Sequence, residues 1–276
     1  MLKLYGKALA GATVLPVARK LPGISAPREL PDRFIERREI EVDRDHLAAY
    51  DRVCGFRLRD ELPATYPHMA AFPPAMELMT DTAFPFPVIG LVHIANRIEL
   101  VRPMTAAEPF DVRVWAADLA DHERGRQFQI YAEASVAGDV AWRSASTYLH
   151  RSGGGSGDGK KREEADEMPS GAVWNVPGDI GRRYAAVSGD RNPIHLHPLS
   201  AKLFGMKAPI AHGMWIKARC LAALESELPD TYTVDVRFKL PIFLPSKVVF
   251  STDTRQFEVR AAKDGKPHLA GEVSAR

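Results

Sequence analysis

The sequence predicts an α+β protein made of two copies of one unit, each an antiparallel sheet wrapped around a central helix. Two observations carry this. Residues 152–159 read SGGGSGDG and are followed by the mixed charges KKREEADE at 160–167. Such a stretch has nothing to bury and reads as a flexible linker. The parts on either side repeat one order of elements, an apolar helix and then several strands of period two, and each is of single-domain size. The expected organisation is residues 1–150 as an N-terminal unit with an N-terminal extension, 151–169 as linker and 170–276 as the C-terminal unit.

In the second half, Met214, Ala218, Leu221, Ala222 and Leu224 form a helical stripe over 214–228, and Pro229 ends it. Tyr232, Val234, Val236 and Phe238 then alternate with polar residues, the pattern of a half-buried strand. Strands follow at 247–253, 255–262 and 268–274, with Asp264-Gly265 as a turn. In the first half a short apolar stretch at 72–79 precedes strands at 91–101, 110–119, 126–136 and 139–149, with Gly138-Asp139 as a turn. RIELVRP from Arg97 superposes on RFKLPIF from Arg237, which sets Phe72 opposite His212 and Pro73 opposite Gly213.

Composition narrows the function classes. The chain has 276 residues, 45% hydrophobic and 26% charged, which excludes a disordered or fibrous protein. With 37 basic and 35 acidic residues the net charge is +2, so the basic excess of a nucleic-acid binder is missing. Cys54 and Cys220 lie far apart and form no C-x-x-C pair, as expected of buried thiols in a reducing, cytoplasmic compartment. No apolar run approaches the roughly 18 residues of a spanning helix. At the N-terminus, Lys3 and Lys7 precede a run rich in Ala and Gly that Pro16 interrupts. That is a poor signal peptide. A segment packed on its own domain is the favoured reading, and a weak contact with a membrane surface is the alternative.

Residues 184–224 carry the chemistry. Ser188-Gly189-Asp190 and Asn192-Pro193 form a turn cluster, and His195 lies five residues after Asp190. No other histidine of the chain has an aspartate at that spacing. An acid and an imidazole on one tight loop can converge on a single water or substrate proton. His212-Gly213-Met214 then opens the helix, and a helix N-terminus offers free N–H groups to a developing oxyanion. Each residue also has a plainer reading. Asp190 alone is equally a turn residue, a lone His195 is more often a hydrogen-bonded structural histidine, Gly213 also permits close helix packing, and His197 and His212 read as structural histidines. H-x-H with a distant histidine and no cysteine is a weak metal pattern.

Together these residues resemble the hydratase motif of the MaoC-like, or (R)-specific enoyl-CoA hydratase 2, family. The pattern is carried by Tyr184, Ser188, Gly189, Asp190, Asn192, Pro193, Ile194, His195, Ala201, Pro209, Ile210, His212, Gly213 and Met214. One departure is His197, where the family often has an acidic residue; an effect on loop packing is expected. The resemblance implies a double hot-dog fold, with the usual dimer fused into one polypeptide. It implies reversible hydration of trans-2-enoyl thioesters to (R)-3-hydroxyacyl thioesters, carried by coenzyme A or acyl-carrier protein, with no metal or redox cofactor. Asp190 and His195 would share the water, Gly213 N–H would receive the thioester oxygen, and Ser188, Asn192 and Tyr184 would support the loop. The N-terminal unit would lack its own site and build the acyl cavity, with Met76 and Met79 as lining residues because methionine adapts to flexible apolar ligands. A homodimer is a further expectation. The rivals from other classes are an acyl thioesterase of the same fold and a non-catalytic acyl-thioester-binding protein.

Overall fold

A computed structural model describes residues 28–151, 171–253 and 255–276. The N-terminal stretch with Lys3 and Lys7, and nearly all of the expected linker, lie outside the described residues. The first half contains β1 (Phe34–Ile40), α1 (Arg44–Cys54), α2 (Pro67–Met79), β2 (Leu91–Leu100), β3 (Phe110–His122), β4 (Gly125–Val136) and β5 (Asp139–Arg151). The second contains β6 (Ala172–Val176), α3 (Ile180–Ser188), α4 (Pro193–Leu196), α5 (Pro198–Leu203), α6 (Gly213–Leu224), β7 (Tyr232–Phe238), β8 (Ser246–Thr252), β9 (Gln256–Ala261) and β10 (Pro267–Ala275).

Among the described residues, ten strands form one sheet in the order β1-β3-β4-β5-β2-β7-β10-β9-β8-β6. Read from either end, each half gives the same order of its own first to fifth strand. The pairings are antiparallel throughout, and the halves join where β2 meets β7, with Asn96 opposite Val236 and Arg97 opposite Asp235. This is the hot-dog architecture, two helices enclosed by sheet.

The alternation in the sequence explains the strands. In β7, Tyr232, Val234 and Val236 are buried, and in β5 Trp142, Ser144 and Ser146 are buried on the same inner face. Helix α6 buries Met214, Trp215, Ile216, Ala218, Cys220, Leu221 and Leu224. Each large side chain among them contributes about 1.5–3 kcal/mol by leaving water. The helix stops at Leu224, one turn earlier than Pro229 suggests, because Glu225-Ser226-Glu227 continue as a turn, with Glu227 N–H bonded to the Leu224 carbonyl.

Helix α2 begins at Pro67 and not near Phe72. Proline is well placed at a first helical position, where no N–H is needed. Pro73 and Pro74 therefore sit inside the helix, where each removes a donor. Burial of Met69, Ala71, Phe72, Ala75, Met76, Leu78 and Met79 against the sheet overrides that local cost.

The halves also interlock through their helices. His46 of α1 bonds the Tyr66 hydroxyl at 2.9 Å and the Val187 carbonyl of α3 at 2.7 Å. Trp215 Nε1 of α6 donates to the Val53 carbonyl of α1 at 3.0 Å. Beneath the β2–β7 seam, Lys217 is completely buried, and its Nζ donates to the Asn96 carbonyl (3.1 Å), Asn96 Oδ1 (2.6 Å) and the Val234 carbonyl (3.2 Å). Asn96 Nδ2 in turn donates to Ser144 Oγ and Ser146 Oγ, both at 3.0 Å. Among the described residues no helix is long and apolar enough to cross a membrane.

Candidate active site

The second half has a longer connection between its first and its central helix than the first half, and that connection carries the candidate residues. Helix α3 ends at Gly189, whose φ of 72° lies in the left-handed region that glycine adopts without strain. The chain turns there and presents Asp190. The turn is held locally: Asp190 N–H bonds Ser188 Oγ at 3.1 Å, and Asn192 N–H bonds Asp190 Oδ1 at 3.1 Å. Asn192 then caps α4, its Oδ1 accepting from Ile194 N–H at 3.4 Å. His197 caps α5 through Nδ1 and Leu199 N–H at 3.3 Å, so its place is in loop packing.

His195 is buried on α4, and its Nδ1 bonds the Ile210 carbonyl at 2.8 Å. A carbonyl only accepts, so Nδ1 carries the proton and Nε2 keeps a lone pair. The acceptor is itself pinned, since Ile210 N–H bonds the Ile194 carbonyl and Ala211 N–H the Ile242 carbonyl. Burial, opposed by the neighbouring Asp190, lowers the His195 pKa and keeps the ring neutral at pH 7.

His212 lies beside it, ring centroids 3.7 Å apart, and its Nε2 donates to the Asp190 backbone carbonyl at 3.0 Å. One side-chain oxygen or nitrogen from each of Asp190, His195 and His212 lies within 4.8 Å of the other two. His212 is pushed down to about 3 by burial and then by His195, so it is a neutral prop for the Asp190 turn. Tyr184 packs its ring 5.0 Å from His212. Gly213 opens α6 directly after His212, and no side chain caps that helix start. The Phe238 ring lies over Gly213: an added Cβ would come within 3.1 Å of it.

Met76 and Met79 are buried on α2 in the first half. They continue one helical stripe that begins with His68 and Phe72. The His68 pKa is lowered by burial and then by Lys217, with the charge of Asp190 opposing.

Several residues had no signal in the sequence. Gly181 of α3 passes so close to the turn that an added Cβ would lie 2.0 Å from the His195 carbonyl oxygen. Gly181→Ala is expected to shift α4 and lower kcat by tenfold or more, with secondary structure kept. Wild-type kinetics in that variant would remove Gly181 from the positioning of His195. The charge of Asp190 also acts on His68, His93 and Tyr148 of the first half, as the smallest influence on each.

The neutral histidines carry a pH signature. His212 and His93 are lowered to about 3 and His68 to about 4, each mainly by burial. Their unfolded value is about 6.5, so between these limits the unfolded chain binds the extra protons. Stability is therefore full above about pH 6.5 and is lost as pH falls toward 3–4. Thermal unfolding followed from pH 7 to pH 4 is expected to show a falling Tm, with a shallower fall in His212→Gln; a flat profile would contradict the burial of these rings.

The MaoC like domain model matches residues 170–269. The 3-hydroxyacyl-thioester dehydratase X of Mycobacterium tuberculosis is 37% identical over 263 residues, covering 93% of this chain and 94% of the relative. The chain belongs to the MaoC-like dehydratase family. The crystal structure of HtdX from Mycobacterium tuberculosis superposes with a TM-score of 0.78 at 36% identity, covering 88% of this chain and 100% of that one. The (R)-specific enoyl-CoA hydratase of Aeromonas caviae is 34% identical over 88 residues, 30% of this chain and 62% of the relative. In this MaoC-like chain the family match runs from β6 into the start of β10 and so includes Asp190, His195 and Gly213.

Proposed function

We propose that this MaoC-like dehydratase catalyses the reversible hydration of trans-2-enoyl thioesters to (R)-3-hydroxyacyl thioesters in fatty-acid metabolism. The observation that carries the reading is the convergence of the Asp190 carboxylate and the His195 imidazole beside the uncapped start of α6. Addition of water needs three things in one place: a group to take a proton from water as its oxygen bonds to C3, a group to deliver a proton to C2, and a donor for the negative charge that builds on the thioester oxygen. Asp190 and neutral His195 share the water and exchange its protons as a coupled pair. The Gly213 N–H receives the thioester oxygen, a contact worth about 2.7–4 kcal/mol in the transition state. Ser188, Asn192 and Tyr184 keep the pair in place.

The division into residues 1–150, a linker at 151–169 and a catalytic unit at 170–276 belongs to the same reading, although β5 runs through Arg151. The first unit has no site of its own: its central helix opens on Pro67, which has no N–H for an oxyanion. Its task is the acyl cavity, and the stripe His68, Phe72, Met76, Met79 leads away from Asp190 into its core. The thioester carrier is coenzyme A or acyl-carrier protein. A homodimer, a cytoplasmic location and a weak membrane-surface contact through the N-terminal stretch complete the proposal.

The test is incubation with crotonyl-CoA, following loss of enone absorbance beside a free-thiol assay, with chiral analysis of the product. Enone loss without thiol release, giving the (R) alcohol, is expected. Thiol release would indicate a thioesterase, binding without turnover an acyl-binding protein, and an (S) product a different mechanism. In the same assay, Met76→Trp or Met79→Trp is expected to reduce turnover of long chains and spare short ones; an equal effect on both would end the cavity role.

A further inference from the structure

Strand β2 carries a bulge. His93 pairs with Tyr148 of β5 and Ala95 with Thr147, so Ile94 is the extra, unpaired residue. Residues opposite one another across antiparallel strands share a face. The inner face of β5 is Trp142, Ser144, Ser146 and Tyr148, and their partners on β2 are Leu100, Ile98, Asn96 and His93. Without the bulge, Ile94 would stand opposite Tyr148. The bulge replaces an isoleucine by an imidazole on the inner face.

That imidazole is placed on a row of rings leading to the helix start. His93 stacks on Tyr148 (4.7 Å) and lies 5.0 Å from Phe238, which in turn covers Gly213. His93 is only partly buried as a residue, but its Nε2 is buried with no hydrogen-bond partner. A hydrogen bond to the Ala95 backbone favours the protonated ring, as a carbonyl acceptor does. With Nε2 unpartnered, that bond belongs to Nδ1–H, and Nε2 is a bare acceptor. An orphaned acceptor inside a protein calls for a donor. His68 lies close enough to depress the His93 pKa further, and it heads the α2 stripe that runs on to Met76 and Met79. Two neutral imidazoles and a phenol thus stand where the proposed acyl channel begins, at positions where alkyl side chains would suit an unsubstituted tail.

We propose that His93 is a specificity residue whose Nε2 accepts a hydrogen bond from a hydroxyl on the acyl chain just beyond C3, so that the site selects hydroxylated enoyl thioesters over plain alkyl ones. This rests on the hydratase reading. The bound hydroxyl satisfies the acceptor that a plain alkyl chain leaves bare, and loss of such a pairing discriminates against the analogue without the hydroxyl.

The test compares hex-2-enoyl-CoA with 5-hydroxyhex-2-enoyl-CoA in wild type, His93→Phe and His93→Gln. Wild type is expected to favour the hydroxylated substrate by about tenfold in kcat/KM, the scale of one buried hydrogen bond. His93→Phe keeps the ring stack and is expected to bring the ratio of kcat/KM for the two substrates to about one. His93→Gln, which keeps an acceptor, is expected to retain part of the preference and serves if the Phe variant does not fold. Equal wild-type rates on both substrates would overturn the inference. So would a His93→Phe loss shared by both, which would place the contact on the pantetheine amide. If wild type turns over neither substrate, the hydratase reading fails and this inference falls with it; turnover of hex-2-enoyl-CoA without a hydroxyl preference overturns the inference alone.

Discussion

Asp190→Asn and His195→Gln are each expected to lower kcat for hydration by about 10²–10⁴-fold while leaving the fold intact. The geometry explains why both are needed. His195 is neutral with its lone pair on Nε2, because Nδ1–H is committed to the Ile210 carbonyl. Asp190 projects from a turn fixed at its own backbone by Ser188 and His212. Removing either acceptor leaves the water held from one side only, and the losses in the double variant should be far from additive because the pair works as a unit. Asn at 190 keeps an oxygen that can accept from Asn192 N–H, so the turn should survive. In wild type, the acid limb of kcat/KM should lie below the ordinary histidine range, since burial lowers the His195 pKa and falling pH removes its lone pair. Single-turnover kinetics on a good enoyl thioester, with circular dichroism as the folding control, decide the matter. Near wild-type turnover in either variant would refute the assignment.

Asn96→Leu should produce the largest loss of stability, about 3–5 kcal/mol. Burial holds the Lys217 pKa well below the ordinary lysine value. Its three oxygen acceptors nevertheless call for three hydrogens, which only the ammonium form has. Asn96 supplies two of those acceptors and also satisfies Ser144 and Ser146. Leucine at 96 removes the side-chain oxygen from a buried cation and strands both hydroxyls. At about 2–4 °C per kcal/mol for a chain of this size, Tm should fall by about 10 °C. The control sits on the other face of the same strand pair: Arg97 and Asp235 pair at 2.6 Å, but both are about half exposed, and Arg97→Ala should cost no more than about 1 kcal/mol. Calorimetry showing equal, small losses for both substitutions would mean that the buried network is not what holds the halves together.

Much of this is legible in the amino-acid sequence. Period-two alternation marks β7, where Tyr232, Val234 and Val236 are buried, and the strands expected at 247–253, 255–262 and 268–274 match β8, β9 and β10 to within a residue or two. The Asp190–His195 spacing was legible because both residues sit on one short turn, so sequence distance and spatial distance nearly coincide. What could not be read was tertiary. Pro73 and Pro74 disguise the interior of α2 as a break. Gly181 matters only because the His195 carbonyl passes over it. His212 reads as a generic core histidine until its ring is seen against His195 and Asp190. His93 sits on a strand whose alternation points it the wrong way, and only the unpaired Ile94 reverses that.

The junction of β2 with β7 has one more consequence. Each of these strands would be a raw border if its half stood alone, a row of unpaired N–H and C=O groups ready to recruit another chain. The Lys217 cation would then lose both of its Asn96 acceptors, and the second half would be left with an under-satisfied charge beside an open ladder. Covalent tethering of the halves therefore acts as quality control during synthesis. The first half is finished by the ribosome before the second appears, and its waiting β2 gives β7 a partner at very high effective concentration, ahead of any stray strand in the cell.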